Sequence, residues 1–120
     1  KHIANAMVVG DKRKFLVAII SIDPDSFKDD LATLGLPANA TYEEIASNKQ
    51  VTEIIQNEVD ETNQTLARFE TIKGFLVAPQ DFTVENGQIT PSLKLKKKVI
   101  LKTYADEIDA LYAELETSRH

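Results

Sequence analysis

FLVAIISI, residues 15–22, is apolar at every position except Ser21. A run without polar alternation that is rich in β-branched residues is typical of a strand covered on both faces of its sheet. A mostly apolar run over residues 3–9 precedes it, and residues 10–14 supply a polar connection between the two. The pattern therefore predicts a β-hairpin whose second strand lies at the centre of a sheet.

Signals for five helices and a third strand follow along the chain. In order, they are a helix start at Asp23-Pro24, a capping box at Thr41 for a short helix over residues 42–47, an amphipathic stripe from Val51 to Leu66, a strand over residues 73–78, and short helices over residues 92–104 and 106–116. No linker or repeat interrupts them. We therefore predict a single α+β domain, residues 1–120, with a small, mainly antiparallel sheet packed with helices.

Composition narrows the possible chemistry. The 120 residues include no cysteine, and the histidines, His2 and His120, lie at or near the ends of the chain. A disulfide, a thiolate metal site and a cysteine nucleophile are therefore excluded, and a histidine-based triad or metal site is not expected. The acidic residues between 23 and 30 lack the Gly and Glu of an EF-hand loop, so no metal site is predicted.

Net charge and hydropathy indicate the environment of the chain. The formal net charge of −5 argues against nucleic acid as a partner, because binding to phosphates normally requires a basic surface. No apolar run approaches the about 18 residues that would suggest a membrane span, so no transmembrane segment is predicted. The absence of cysteine fits a reducing compartment, and we expect a cytoplasmic protein.

One basic cluster stands out in this acidic chain. TPSLKLKKKVILK, residues 90–102, contains five lysines. If the segment is helical, Leu95, Val99 and Lys102 share one face, and Lys94, Lys97 and Lys98 lie toward solvent. The residues alone favour a solvated basic face. They leave open a nucleic-acid patch, which lacks interleaved aromatic residues, and a site where one lysine contacts phosphate or carboxylate.

Three blocks of the sequence carry a resemblance to a known family. AMVVGDKRKFLVAIISID, RFETIKGFLVAP and ITPSLKLKKKVI occur in this order at residues 6–23, 68–79 and 89–100. Together they resemble the C-terminal small domain of long-chain fatty acid–CoA ligases, which belong to the AMP-forming, adenylate-forming superfamily. The resemblance runs from about Ile3 to Leu115. It implies that the chain is the C-terminal fragment of a larger ligase.

The resemblance also implies roles for single residues. In this superfamily the catalytic lysine lies in a Thr-Pro-Ser-Gly-Lys-like motif, which falls here on Thr90 to Lys94. The family pattern thus implies that Lys94 is catalytic and that Thr90 and Ser92 contribute to a substrate-binding loop. Leu93 stands where many members have glycine, and glycine permits backbone angles that leucine does not.

The family supplies the expected reaction and partners. A large N-terminal domain of the same enzyme binds ATP and fatty acid, and the mobile small domain closes over it for adenylation and then for thioester formation with CoA. ATP and CoA are substrates, and Mg²⁺ is expected mainly on the N-terminal domain, with no cofactor in the isolated chain. We expect the isolated chain to be inactive and the intact enzyme to be cytoplasmic or peripheral to a membrane. The alternative is a free-standing α+β regulatory module that binds an anion or a protein partner.

Overall fold

The structure is a computed structural model that describes residues 2–10, 15–65, 71–92 and 94–118. Its elements, in chain order, are strand β1 (Ile3–Val9), strand β2 (Leu16–Ile22), a 3₁₀-helix (Pro24–Asp30), helix α1 (Tyr42–Ala46), helix α2 (Lys49–Asn63), strand β3 (Ile72–Val77), helix α3 (Lys97–Thr103) and helix α4 (Ala105–Ser118). The α+β class predicted from the sequence is confirmed. The predicted turn between the first two strands falls on residues 11–14, outside the described residues.

The three strands form one sheet in the order β1-β2-β3. Strand β2 lies at its centre and is fully buried from Val17 to Ile22, as its apolar run predicts. The sheet is mixed, because β1 and β2 are antiparallel whereas β2 and β3 are parallel. A parallel neighbour requires a long crossover, and here the 3₁₀-helix, α1 and α2 provide it.

Each face of the sheet has its own hydrophobic core. One core joins alternate residues of β1 and β2, such as Met7, Val17 and Ile19, to helices α3 and α4. The other joins Ile20 and Ile22 to the crossover helices. Burial of apolar side chains on both faces explains why β2 carries no polar alternation.

Local capping signals place the crossover helices. Thr41 and Glu44 form the reciprocal capping box expected at the start of α1, with N···O distances of 2.9 and 3.2 Å. Asn48 caps α2 by accepting hydrogen bonds from Gln50 and Val51, a start that the apolar stripe alone did not locate. None of the described helices combines the length and apolar character needed to cross a membrane.

The helix predicted over residues 92–104 is shorter than expected. Helix α3 begins at Lys97, because Leu95 instead pairs with Ile89 in an antiparallel bridge. Leu95, Val99 and Lys102, which would share one face of the predicted helix, do not form a buried face. Ile100 is the fully buried residue of α3, whereas Val99 is 37% exposed. The buried stripe runs through Ile100, Tyr104 and Ile108.

Candidate functional site

The lysine-rich segment begins with a short hairpin rather than a helix. We call residues 88–96 the lysine hairpin. Its base is closed by a hydrogen bond from the Lys96 amide to the Gln88 carbonyl (2.8 Å) and by the bridge between Ile89 and Leu95. Its tip is closed by a hydrogen bond from the Thr90 amide to the Lys94 carbonyl (2.8 Å). Lys94 therefore lies at the end of a loop whose two ends are held together.

The tip gains further order from two hydroxyl groups. The Thr90 hydroxyl accepts a hydrogen bond from the Lys94 amide (3.0 Å) and lies 3.0 Å from the Ser92 hydroxyl. The structure thus brings together the three residues that the family motif singles out: Thr90, Ser92 and Lys94. Leu93, which stands in the glycine position of that motif, lies outside the described residues. The assigned roles of the three residues stay predictions.

The lysine hairpin packs against the hydrophobic core of the domain. Ile89 and Leu95 are partly buried and pack against the cluster that contains Phe82, Ile100 and Tyr104. The preceding turn is fixed by Asn86, whose side chain accepts hydrogen bonds from the amides of Thr83 and Gln88 (both 3.1 Å) and donates one to the Asp81 carbonyl (2.9 Å). A loop with this support presents its tip in a defined direction.

The lysines of this region project into solvent. All five are exposed, and none forms an ion pair with another described residue. Lys97 and Lys98 occupy the first turn of α3, where the positive end of the helix dipole disfavours cations, and Lys96 precedes them without a side-chain cap. This arrangement adds nothing to the stability of α3. It concentrates positive charge beside Lys94 at a surface that could meet anionic groups.

Two other features bear on what this surface can hold. A groove of about 460 Å³ runs beside the hairpin region, between the end of β1 and helices α3 and α4; its lining includes Val8, Lys97, Leu101 and Asp109. Among residues 2–10, 15–65, 71–92 and 94–118, no three acidic, histidine or cysteine side chains come together as a metal site would require. The described residues thus offer no ligand set for Mg²⁺.

Sequence reasoning missed one residue at the base of the hairpin. Gln88 is only 4% exposed although it is polar. In the sequence it appears only as a glutamine after Asn86-Gly87, which predicts a turn. No local pattern indicates that this side chain points inward.

Comparison with known proteins identifies the family. The sequence profile of the AMP-binding enzyme C-terminal domain matches residues 1–116. The chain belongs to this family. Membership confirms the resemblance drawn from the three sequence blocks.

Curated relatives of this AMP-binding C-terminal domain are long-chain-fatty-acid–CoA ligases. FadD15 of Mycobacterium tuberculosis is 34% identical over 110 residues, which cover 92% of this chain and 18% of that protein. Ligase 5 of Mus musculus is 34% identical over 106 residues, covering 87% of this chain and 15% of that protein. The chain thus spans less than a fifth of the length of either relative.

Solved structures support the fold of this C-terminal domain. The adenylation domain of a carboxylate reductase from Mycobacterium chelonae matches 93% of the chain and 16% of its own length, with a TM-score of 0.69 and 23% identity. The A-PCP didomain of a carboxylic acid reductase from Segniliparus rugosus, solved with AMP, matches 97% of the chain and 14% of its own length, with a TM-score of 0.62 and 22% identity.

Proposed function

We propose that this chain is the C-terminal closing domain of a long-chain-fatty-acid–CoA ligase and that Lys94 is its catalytic residue. The observation that carries the proposal is the exposed Lys94 side chain at the tip of a hairpin fixed at Thr90, within a chain of the AMP-binding C-terminal family. The full-length ligase that would contain this chain is called the parent enzyme below.

The proposed role of Lys94 follows from the charges that meet in the first half-reaction. A fatty carboxylate attacks the α-phosphate of ATP, the bond from that phosphorus to the bridging oxygen breaks, and acyl-AMP and pyrophosphate form. Both reactants are anionic, and negative charge grows on the phosphoryl oxygens. The Lys94 ammonium, placed between carboxylate and phosphate, offsets the repulsion and stabilises the developing charge.

The other motif residues shape and surround this contact. Thr90 holds the Lys94 backbone, and the Ser92 hydroxyl, exposed at the tip, is placed to donate to a phosphate or carboxylate oxygen. Lys96, Lys97 and Lys98 raise the local positive potential and attract the phosphates of ATP or CoA. Metal chemistry in the parent enzyme is expected from Mg²⁺ on the N-terminal domain.

The second half-reaction requires Lys94 to leave. The CoA thiol attacks the carbonyl carbon of acyl-AMP, the thioester forms, and AMP departs. We propose that the small domain rotates against the N-terminal domain between the two steps, which withdraws the lysine hairpin and presents another surface. Lys94 therefore contributes to adenylation and not to thioester formation.

The test separates the two half-reactions in the parent enzyme. Lys94→Ala is expected to lower the rate of acyl-AMP formation by roughly a hundredfold or more, comparable to removal of an oxyanion donor, because the ammonium acts on the transition state. Acyl-AMP formation is measured by pyrophosphate exchange into ATP. Thioester formation from preformed acyl-AMP is measured separately and is expected to stay within about twofold of wild type.

Lys102→Ala is the matched control, since it removes an exposed lysine of α3 that has no proposed role in substrate attraction. It should leave both half-reactions within a few fold of wild type. Equal losses in both half-reactions for Lys94→Ala, or a loss in adenylation as large for Lys102→Ala, would contradict the assigned role.

A further inference from the structure

The side chain of Asn86 joins the two limbs of the turn that leads into the lysine hairpin. Its Oδ1 atom accepts hydrogen bonds from the amides of Thr83 and Gln88 (both 3.1 Å), and its Nδ2 atom donates to the Asp81 carbonyl (2.9 Å). The Asn86 amide in turn donates to the Thr83 hydroxyl (3.1 Å). One side chain therefore sets the separation between the residues before and after the turn.

Gly87 lets the chain turn back toward this side chain. Its φ of 76° is a left-handed conformation that glycine adopts without the strain that other residues would meet. The Gln88 amide that follows is shared between Asn86 Oδ1 and the Thr83 carbonyl, both at 3.1 Å. The point at which the chain enters the lysine hairpin is thus fixed by two residues of the turn.

This turn connects the hydrophobic core to the lysine hairpin. Phe82, which follows Asp81, is 3% exposed and belongs to the core. At the other end of the turn, the Gln88 carbonyl accepts the 2.8 Å hydrogen bond from the Lys96 amide that closes the base of the hairpin. Apolar packing holds the hairpin on the core without fixing its direction, whereas hydrogen bonds depend on angle. Asn86 therefore supplies the directional part of the connection.

Asn86 contributes little to the core itself. It is exposed and belongs to neither hydrophobic cluster. Water can take the place of its hydrogen bonds, so loss of the side chain costs little overall stability. Water does not replace the shared oxygen that holds two backbone amides at fixed positions. Removal of the side chain should therefore loosen the turn without unfolding the domain.

We propose that Asn86 is a positioning residue for Lys94, acting through the backbone of Gln88. By fixing where the chain enters the lysine hairpin, it directs the tip so that the Lys94 ammonium reaches the reacting carboxylate and phosphate. The inference rests on the proposed function. A displacement of about 1 Å in such a group can lower a rate by about a hundredfold.

Two substitutions of Asn86 in the parent enzyme test this role. Asn86→Ala is expected to lower the kcat of adenylation about tenfold, with the KM for ATP and the thioester step within about twofold of wild type. Asn86→Asp keeps an oxygen for the amides of Thr83 and Gln88, so it should recover most of the lost rate. Asn39→Ala, the same change at an exposed turn position before α1, is the control and should match wild type.

A double variant separates positioning from a general structural role. In the Lys94→Ala background no ammonium is left to position, so Asn86→Ala should cause no further loss of adenylation. Amide hydrogen exchange in Asn86→Ala should quicken in the peptide covering residues 83–96 and stay unchanged in the peptide covering β2. Should Asn86→Ala fail to fold, Asn86→Gln carries the test, since it keeps the amide but displaces it by one methylene group.

The outcomes distinguish this inference from the proposal on which it rests. If Lys94→Ala abolishes adenylation while Asn86→Ala leaves it unchanged, the positioning role is overturned and the catalytic role of Lys94 stands. Losses that multiply in the double variant, or equal losses in both half-reactions for Asn86→Ala, would also overturn it, because Asn86 would then act independently of Lys94. If Lys94→Ala retains adenylation, both proposals fall.

Discussion

Tyr42 shows how a single hydroxyl can extend the sheet beyond its last strand residues. The hydroxyl accepts a hydrogen bond from the Ile22 amide (3.2 Å) and donates one to the Ala78 carbonyl (3.0 Å), where β2 and β3 end. Burial raises the pKa of Tyr42 to about 12, the negative charge of Asp81 adds to this, and the hydrogen bond from Ile22 opposes it. The neutral hydroxyl is the form that the fold requires.

This link makes stability depend on alkaline pH. A folded-state pKa of about 12, above the ordinary value of 10.0, means that the folded chain holds the proton more tightly, so its stabilising effect is complete below pH 10 and lost as pH rises through 12. Solvent screens the half-buried hydroxyl, so we expect Tyr42 to account for a loss of at most about 1 kcal/mol by pH 11.

Tyr42→Phe should therefore lower the free energy of unfolding by about 1 kcal/mol at pH 8, because two backbone groups lose their partner. The gap between variant and wild type should narrow at pH 11. Urea denaturation of the 120-residue chain at the two pH values measures this. A gap of the same size at both would show that Tyr42 does not titrate in this window.

At the scale of secondary-structure elements, the side chain of Asn63 makes the backbone hydrogen bonds that a neighbouring strand would make. Asn63, the last residue of α2, donates from its side-chain amide to the Ile72 carbonyl (2.9 Å) and accepts from the Ile72 amide (2.8 Å). These are the two hydrogen bonds that a neighbouring strand would supply. They fix the first residue of β3 against the end of the long helix.

Asn63→Ala should destabilise the chain by about 1–3 kcal/mol, because both backbone groups of the half-buried Ile72 lose their partner. Asn63→Asp keeps the acceptor and loses the donor, so we expect it to fall between Asn63→Ala and wild type. Gln64→Ala, the exposed neighbour, is the control. Chemical denaturation ranks the four proteins by their free energy of unfolding. If Asn63→Ala is as stable as Gln64→Ala, the hydrogen bonds from Asn63 to Ile72 do not stabilise the fold.

Elements with local signals could be predicted, and those set by distant contacts could not. The sequence predicts the buried strand β2 and the capping box of α1 because each depends on residues that lie close together in the chain. The parallel pairing of β3 depends on a long crossover, and the start of α3 at Lys97 depends on the bridge between Ile89 and Leu95. Likewise, the family motif indicated Lys94, but only the packed structure shows Gln88 turned inward beneath it.

At the scale of the whole molecule, the described part of the chain holds the lysine hairpin against a hydrophobic core. It offers no cluster of metal ligands among residues 2–10, 15–65, 71–92 and 94–118, and Lys94 lies in open solvent. In water of high dielectric constant, one ammonium stabilises an anionic transition state only weakly. Its effect depends on a second surface that excludes water and holds the reactants in place.

The 120-residue chain alone is therefore expected to form no acyl-CoA. The purified chain is incubated with fatty acid, ATP, Mg²⁺ and CoA, and thioester is measured by mass spectrometry, with the parent enzyme as the positive control. Because the reactants are not held against Lys94, the rate should equal that of the mixture without protein. Turnover by the chain that is abolished by Lys94→Ala would mean that these residues bind and orient both substrates by themselves, and the closing-domain interpretation would have to be abandoned.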